Sequence, residues 1–271
     1  SGKCGRILRT KRGFVMKFRS KEELDSFLRT LEYIGKGCQG LCFLDRKTNQ
    51  VYKIFRKDYL EDVCRISNAD DIMEFSHISN DTFIWPNGVI LVDDMVVGYT
   101  HNYVKAKSFC EFNDPFGINL DNLSYALYRA NEDIELLTRN GITIWDLMYN
   151  LMFDGKRIKV VDTFEFWKEK TSYLENVEDF NYEIKMFLVD GYFDNVISNN
   201  ESLFKIYYNN TSALTFLKEF RAYLGKIKNQ EIKYLSDARD LANVDFSEYR
   251  YEREMLKRMR TATKRGNGYG I

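Results

Sequence analysis

"GITIWDLMYNLMFDGKRIKVVDTFEF", residues 141–166, is the stretch that decides the fold of this chain. Within it, Asp146 and Asn150 precede a short apolar segment, an Asp-Gly pair and a second apolar segment that ends at Asp162. An Asp-Gly pair between two apolar segments is typical of a β-hairpin, so the sequence predicts two antiparallel strands here. A carboxylate at the end of a buried strand is costly unless it binds a metal ion or accepts hydrogen bonds. Asp162 is therefore a candidate functional residue.

The order of these three polar residues suits phosphoryl transfer. A carboxylate at Asp146 would orient an attacking hydroxyl group and accept its proton. The amide oxygen of Asn150 and the carboxylate of Asp162 would hold Mg²⁺ against phosphate groups. The alternative is that all three are loop-end residues that make turns, a role that each of them would fit on its own.

A glycine motif lies upstream, because "GKGCQG", residues 35–40, fits the pattern G-x-G-x-x-G. In a dinucleotide-binding fold this motif opens a helix. Here residues 41–55 follow, and "LCFLDRKTNQVYKIF" predicts a strand, a turn and a second strand. The glycines therefore belong to a hairpin, where backbone N–H groups can approach phosphates with no Cβ in the way. Lys53, in the second strand, is then either a phosphate-binding cation or an exposed strand lysine.

The remaining pattern divides the chain into a β-rich and an α-rich part. Ser20 and Glu23 form a capping box that predicts a helix behind them, and "GVILVDD" with "MVVGYTHNYV" predicts a second strand pair. Residues 59–78 resemble a poorly patterned helix. Residues 122–141 predict a one-faced helix that stops at an Asn-Gly pair, and most of the chain after residue 166 has helical composition. The sequence thus predicts an α+β fold whose character changes near residues 104–112.

Composition excludes several classes of protein. The 271 residues are 44% hydrophobic and 15% aromatic, which is enough for a packed core and unlike a disordered chain. The net charge of zero gives no attraction to nucleic acid, so no nucleic-acid partner is expected. No apolar run approaches about 18 residues, so no transmembrane segment is predicted. Basic segments at residues 3–19 and 257–265 predict either solvated termini or a docking surface for an acidic partner or a phospholipid.

Cysteine usage indicates a reducing compartment. The five cysteines show no C-x-x-C pair and the chain has two histidines, so neither a zinc site nor a disulfide framework is predicted. These cysteines are Cys4, Cys38, Cys42, Cys64 and Cys110. Free thiols favour the cytoplasm. An effector that leaves the cell by a route without a signal peptide is the alternative.

With these motifs in place, residues 31–166 resemble the protein kinase-like superfamily. The resemblance implies that Gly35, Gly37 and Gly40 form the loop that covers the phosphates, and that Lys53 binds the α- and β-phosphates of ATP. For adenine it implies a packing residue at Cys42, a gatekeeper at His101, and hinge hydrogen bonds from the backbone of Tyr103 and Val104. For the reaction it implies the catalytic aspartate at Asp146 and Mg²⁺ or Mn²⁺ ligands at Asn150 and Asp162. By position, Glu74 is implied as the ion-pair partner of Lys53. Glu61, Asp70 and Asp71 are near rivals for that role.

Several positions depart from the family pattern. The motif H-R-D reads Ile144-Trp145-Asp146, and Asn150 follows the aspartate by four positions where the family has five. The catalytic-loop lysine position reads Met148, and no A-P-E follows Asp162. The resemblance is therefore nearer to divergent, bacterial-style or small-molecule kinases than to ordinary eukaryotic-type kinases.

The resemblance implies a bilobal fold, with a β-rich N-lobe that carries the glycine-rich hairpin and an α-rich C-lobe. The expected organisation is a basic extension with a helix at residues 1–30, the N-lobe at 31–104, the C-lobe at 105–254 and a basic tail at 255–271. The expected activity is ATP- and Mg²⁺-dependent phosphotransfer, with a protein serine or threonine as acceptor. Three alternatives are a small-molecule kinase of the aminoglycoside or sugar kinase type, a pseudokinase that binds nucleotide without turnover, and a plain structural α+β domain.

Overall fold

The computed structural model describes residues 6–10, 13–62, 69–109, 112, 114–147 and 150–243. They form a mixed α+β structure with a β-rich N-terminal sheet and a helical C-terminal part, as the sequence predicts. The chain divides into two compact units, of which the first comprises residues 1–108 and 128–176 and the second comprises residues 109–127 and 177–271. The domain boundaries given above stay predictions, and the basic tail from residue 255 onward lies outside the described residues.

The described strands are β1 Arg6–Thr10, β2 Gly13–Phe18, β3 Glu32–Lys36, β4 Gly40–Asp45, β5 Gln50–Phe55, β6 Gly88–Val92, β7 Met95–Asn102, β8 Lys107–Ser108, β9 Ile142–Thr143, β10 Leu151–Phe153, β11 Ile158–Val160 and β12 Trp167–Lys168. The described α-helices are α1 Lys21–Leu28, α2 Lys57–Asp62, α3 Ala69–Ile72, α4 Leu120–Arg139, α5 Tyr173–Val189, α6 Asp194–Ser198, α7 Glu201–Tyr208 and α8 Ala213–Lys228. Two 3₁₀-helices cover Thr163–Glu165 and Leu235–Leu241.

In the first unit, seven strands form one sheet in the order β1-β2-β6-β7-β5-β4-β3. The antiparallel pairs β4–β5 and β6–β7 confirm the two strand pairs predicted from the sequence. Strand β2 pairs with β6 in parallel, with Phe14 opposite Gly88 and Phe18 opposite Val92. The sequence predicts a basic extension with a helix for residues 1–30, so the two N-terminal strands β1 and β2 are not predicted.

Local capping fixes the ends of the predicted elements. The Ser20 hydroxyl accepts a hydrogen bond from the Glu23 N–H at 3.4 Å, and the Glu23 carboxylate accepts one from the Arg19 N–H at 2.7 Å, which confirms the N-terminus of α1. Asp93 and Asp94, in the acidic turn between β6 and β7, have φ angles of 49° and 62°. Aspartate tolerates this left-handed region better than most residues, which suits the tight hairpin.

The sheet buries apolar side chains on both faces. One face packs against α1 through a cluster that includes Leu24, Leu28 and Phe43. The other face forms a second cluster around Phe55 and Tyr99. Because side chains alternate along a strand, Lys53 points to the same face of β5 as Phe55. That face is the one that faces the candidate site.

The β10–β11 hairpin is confirmed, with Leu151 opposite Val160 and Phe153 opposite Ile158. Its turn is held by Asp154, whose carboxylate accepts hydrogen bonds from the N–H groups of Lys156 and Arg157 at 2.8 and 2.7 Å. Strand β10 also pairs with β8, which completes a three-stranded sheet. This sheet positions Asp162, which lies two residues after the end of β11.

Helix α4 ends as predicted, because Asn140 follows it and Gly141 takes a φ angle of +65° that favours glycine. Residues 59–78 were expected to resemble one helix. The structure instead has α2, α3 and a turn over residues 73–77, and residues 63–68 lie outside the described part of the chain.

The second unit is helical and has an aromatic core. The rings of Phe193 and Phe216 both pack against the ring of Phe220, with centroid-to-centroid distances of 5.4 and 5.5 Å. All three side chains are fully buried. Helix α8 begins at an N-cap, Ser212, whose hydroxyl accepts a hydrogen bond from the Thr215 N–H at 3.1 Å. Among the described residues, none of the helices combines the length and the apolar character that a membrane crossing needs.

Candidate active site

The Lys53 side chain and the Asp162 side chain meet in the first unit, 109 positions apart in the sequence. The ammonium group donates to both carboxylate oxygens at 2.5 Å. The Lys53 side chain is 8% exposed and the Asp162 side chain 14% exposed, so the pair is shielded from water. The sequence analysis selected both residues, and the structure brings them together.

Asp162 is presented by an unusual backbone conformation. It lies two residues after the end of β11 and has φ 65° and ψ 39°, in the left-handed region. The 3₁₀-helix Thr163–Glu165 begins directly after it, and the Thr163 hydroxyl, fully buried, donates to the Ile84 carbonyl at 2.9 Å. Aspartate adopts this conformation more readily than most side chains, so the strand end turns sharply and aims the carboxylate at Lys53.

Aromatic rings surround the Lys53–Asp162 pair. Tyr99, directly opposite Lys53 on β7, donates its hydroxyl to Asp162 at 2.7 Å. The ammonium group lies 5.7 Å from the Tyr99 ring centre and 5.4 Å from that of Phe164. Burial, followed by the Asp162 charge, raises the pKa of Tyr99 well above its ordinary value, so its hydroxyl stays a donor. The sequence analysis missed Tyr99, because only the pairing register shows that it faces Lys53.

Gln39, a residue of the glycine motif, hydrogen-bonds two charged side chains of this site. Gln39 accepts a hydrogen bond from Lys53 through its side-chain oxygen and donates one to Glu165 at 2.8 Å through its side-chain nitrogen. The second Glu165 oxygen accepts a hydrogen bond from the Tyr59 hydroxyl. The sequence does not predict these hydrogen bonds of Gln39, Glu165 and Tyr59. The one available signal is that Gln39 is a polar residue inside a glycine motif.

The glycines of the hairpin have two different roles. A Cβ at Gly40 would lie 2.3 Å from the Ile54 carbonyl oxygen, so glycine is needed there for the approach of β4 to β5. A Cβ at Gly35 or Gly37 would have no heavy atom within 4 Å, apart from chain neighbours. Those two positions leave open space beside the hairpin backbone, which a phosphate group can approach.

Asp146 and Asn150 are joined by a hydrogen bond within the loop before β10. The Asn150 side-chain N–H donates to the Asp146 carbonyl at 2.8 Å, and the Val161 N–H donates to the Asn150 carbonyl at 3.2 Å. Asn150 therefore lies beside the residue that precedes Asp162. Asp146 is exposed and has a φ angle of 51°, and Met148 lies outside the described residues.

Asp146 also lies within electrostatic range of Tyr59. Burial, the hydrogen bond to Glu165, and the charges of Glu165, Asp162 and Asp146 together raise the pKa of the Tyr59 hydroxyl above its ordinary value. Three carboxylates thus contribute to the raised pKa of the Tyr59 hydroxyl. The predicted catalytic aspartate, the strand-end aspartate and Glu165 belong to one region of the first unit.

The oxygens near the strand end suit a hard cation. The Asn150 side-chain nitrogen donates to the Asp146 carbonyl, and the amide oxygen is the atom of this side chain that can coordinate a cation. Carboxylate and amide oxygens are ligands that Mg²⁺ accepts, and Mg²⁺ is commonly held by one or two protein groups together with substrate phosphates. Among the described residues, no three histidine, cysteine, aspartate or glutamate side chains are grouped as a complete metal site. Asn150 and Asp162 each supply an oxygen of the kind that Mg²⁺ accepts.

The predicted Lys53–Glu74 ion pair is not formed. Glu74 is half-buried in the turn that follows α3, and the ammonium group of Lys53 binds Asp162 and Gln39 instead. Asp70 and Asp71 lie in α3, and Glu61 lies in α2. Position along the chain carries no signal of which side chain the Lys53 ammonium group meets, and residues 63–68, between α2 and α3, lie outside the described part of the chain.

The predicted adenine-binding residues lie along β4 and β7. Cys42 is opposite Lys53 on β4, and burial raises the pKa of its thiol to about 11. His101 is buried near the end of β7, and burial lowers its pKa. The Tyr103 N–H donates to the Asn49 carbonyl at 2.9 Å, so a bond from Tyr103 to adenine would have to come from its carbonyl. Val104 follows outside any helix or strand and is half-buried.

Comparison of the sequence with protein-family models finds no match, and comparison with curated proteins finds no relative. The kinase-like resemblance of residues 31–166 therefore stays a prediction.

Proposed function

We propose that this chain is an ATP- and Mg²⁺-dependent phosphotransferase with a protein kinase-like, bilobal fold. The observation that carries the proposal is the contact between Lys53 and Asp162. It brings the strand behind the glycine hairpin to the end of the β10–β11 hairpin, where Asn150 also lies. A turn-forming role for each residue alone gives no reason for this convergence.

The nucleotide would be held by the hairpin and by β5. Lys53 would donate to the α- and β-phosphates, and the backbone around Gly35 and Gly37 would approach them from the open side of the hairpin. Lys53 lies against the Tyr99 and Phe164 rings, and charge–charge attraction is stronger in such a low-polarity setting than in water. The adenine ring would pack on the Cys42 side of the sheet.

Asp162 and Asn150 would hold Mg²⁺, which neutralises phosphate charge and orients the triphosphate when bound. Asp146 would accept a hydrogen bond from the acceptor hydroxyl and align it for in-line attack on the γ-phosphorus. As the new oxygen–phosphorus bond forms, the bond between the γ-phosphorus and the β-phosphate oxygen breaks. ADP leaves with the electron pair, and the hydroxyl proton passes to Asp146 or to solvent.

A protein hydroxyl is the proposed acceptor, and an aminoglycoside or a sugar hydroxyl is the alternative. A second candidate function is a pseudokinase, which would bind nucleotide without turnover. The observation that favours it is that Lys53 and Asp162 bind each other while Gln39 occupies a further position on the ammonium group. Against it stands the presence of Lys53, Asp146 and Asp162, the charged groups to which the proposal gives phosphate, acceptor and metal roles.

Incubation with γ-labelled ATP and Mg²⁺ tests the proposal, with the protein alone, with generic protein substrates, and with an aminoglycoside and sugar panel. Label transfer is expected for the wild type and should be lost in Asp162→Ala. Asp93→Ala is the matched control, because Asp93 is also an aspartate with positive φ but lies in the exposed β6–β7 turn. Nucleotide binding without any transfer would favour the pseudokinase. Absence of nucleotide binding would overturn both readings.

A further inference from the structure

Gln39 bridges the two sides of the proposed phosphate site. Its side-chain oxygen accepts from the Lys53 ammonium group, and its side-chain nitrogen donates to the Glu165 carboxylate at 2.8 Å. A glutamine side chain presents one oxygen acceptor and one N–H₂ donor at the same end, so one residue can bind a cation and an anion simultaneously. The glycine hairpin is thereby tied to the segment after Asp162.

Both ends of this bridge are fixed by further contacts. Glu165 closes the 3₁₀-helix that begins after Asp162, and it also accepts the hydroxyl of Tyr59 from α2. The Gln39 carbonyl accepts from the Arg56 N–H at 2.9 Å. Gln39 is therefore held through its backbone as well as its side chain.

We propose that Gln39 and Glu165 control phosphate access to Lys53: Gln39, held by Glu165, ties the glycine hairpin to the ammonium group, and a nucleotide phosphate oxygen replaces the Gln39 oxygen there. This inference rests on the proposed function. It assigns Gln39 and Glu165, neither of which the kinase-like pattern singles out, to control of phosphate binding.

The expected selectivity follows from which part of the nucleotide meets Lys53. ATP and ADP must displace the Gln39 oxygen, so part of their binding free energy is spent on breaking a charge-assisted hydrogen bond. Adenosine has no phosphate and need not displace it. Removal of the glutamine side chain should thus strengthen binding of the phosphorylated ligands and leave adenosine binding unchanged. A general loosening of the structure would change all three ligands alike.

The test is calorimetry of Mg²⁺-ATP, Mg²⁺-ADP and adenosine with the wild type, Gln39→Ala and Glu165→Gln. For Gln39→Ala, affinity for ATP and ADP should rise about threefold or more, with adenosine unchanged. Glu165→Gln keeps the size of the side chain and removes its charge, so a smaller change in the same direction is expected. Gln50→Ala is the matched control, because Gln50 lies on β5 on the face opposite Lys53 and hydrogen-bonds Asn102.

Hydrogen exchange of the protein without nucleotide gives a second measurement. The Gly37 N–H, which donates to the Gly40 carbonyl, and the Arg56 N–H should exchange faster in Gln39→Ala than in the wild type and in Gln50→Ala. Unchanged exchange, or ATP affinity in Gln39→Ala that is equal to or weaker than in the wild type, would overturn the proposed control of phosphate access. Absence of ATP binding in every variant, with faster exchange in Gln39→Ala, would overturn the proposed function and leave the Gln39 contact standing.

Discussion

Tyr99 and Lys53 lie directly opposite each other on neighbouring strands, and both donate hydrogen bonds to the same carboxylate, that of Asp162. The carboxylate is thus neutralised by one cation and further satisfied by one phenol. In a shielded setting, removal of the carboxylate leaves a buried cation without its counter-charge. The same three side chains therefore control both the stability of the first unit and the proposed nucleotide chemistry.

Replacement of Asp162 should destabilise the protein. Asp162→Ala leaves the Lys53 ammonium group buried without its counter-charge, which costs about 3 kcal/mol or more. Lys53→Met in the same chain removes the stranded cation, so the double variant should be more stable than Asp162→Ala. A double-mutant cycle by urea denaturation measures the coupling. Additive effects of the two substitutions would show that the pair is not formed in solution.

Nucleotide binding should require Mg²⁺ or Mn²⁺ and should depend on both partners of the pair. Asp162→Asn keeps a side chain that tolerates positive φ and removes the charge, so ATP affinity should fall at least about tenfold, or about 1.4 kcal/mol. Lys53→Met should weaken binding similarly. Calorimetry with and without the metal ion measures both effects, and Asp93→Asn serves as the control. Metal-dependent binding at full strength in Asp162→Asn would contradict the assignment of the metal ligand.

Asp146→Asn should abolish phosphoryl transfer and leave ATP binding nearly intact, because Asp146 is proposed to act on the acceptor hydroxyl. Asparagine is chosen because it also tolerates the φ angle of 51° at this position. Asp93→Asn, with φ 49° in the native turn, controls for the effect of the same substitution on a left-handed backbone. Turnover at the wild-type level in Asp146→Asn would place the base elsewhere.

Cysteine labelling should depend on pH in a way that separates Cys42 from Cys38. Both are free thiols, but Cys38 is exposed in the hairpin, whereas burial raises the pKa of Cys42 to about 11 from its ordinary value of 9.0. Alkylation needs the thiolate. At pH 8, iodoacetamide should modify Cys38 first, and the rate at Cys42 should rise with each pH unit up to about 11.

The raised pKa of Cys42 also determines whether stability rises or falls with pH. Above pH 9 the unfolded thiol at position 42 ionises before the folded one, so its contribution to stability is lost as pH rises from about 9 to 11. Peptide-resolved mass spectrometry measures the labelling. Rapid modification of Cys42 at pH 7 in the folded protein would show that the thiol is not shielded as the structure has it.

Local patterns predicted much of the fold because their causes are local. The Asp-Gly turn predicted the β10–β11 hairpin, and the Ser20 capping box predicted the start of α1. No local pattern predicts the parallel pairing of β2 with β6. It joins residues 13–18 to residues 88–92, and no turn connects the two strands. The basic composition of the N-terminal segment favoured an extension instead.

In the candidate site, too, some residues have a local sequence signal and others do not. Lys53, Asp146, Asn150 and Asp162 were selected from the sequence because each stands at a recognisable distance from a turn or a strand. Gln39, Glu165 and Tyr99 have no such signal, since their roles depend on side chains that meet only after the hairpin and the β11 end come together. Polar contacts between distant segments are fixed by packing and not by any local period.

Activity is expected without phosphorylation of the segment that follows Asp162. In many protein kinases the arginine before the catalytic aspartate binds a phosphorylated residue of that segment and orders it. Here that position is Trp145, which is 56% exposed and packs against Trp167 at 5.6 Å between ring centres. An indole ring cannot neutralise a phosphate group, and Glu165 in the same segment would repel one.

The segment is instead ordered by contacts that need no phosphate. The Ser172 N–H donates to the Glu175 carboxylate at 2.7 Å, and the Ser172 hydroxyl accepts from the Glu175 N–H at 3.3 Å, which caps the start of α5. Thr163 is buried and bonded to a carbonyl, so a protein kinase could not reach it without local unfolding. Thr171 and Tyr173 complete the set of hydroxyls that modification would have to use.

Comparison of phosphatase-treated with untreated protein tests this expectation, together with Thr163→Ala, Thr171→Ala, Ser172→Ala and Tyr173→Phe as single variants. Phosphatase treatment should leave transfer activity unchanged. Ser172→Ala should lower stability by about 1 kcal/mol through loss of the helix cap, with kcat preserved in the folded fraction. Ser172→Asp is the informative partner, because aspartate also caps helices and should restore the stability without raising activity. A tenfold loss of activity on dephosphorylation, mapped to one of these hydroxyls, would show that a phosphate orders this segment by contacts that the unmodified protein does not make.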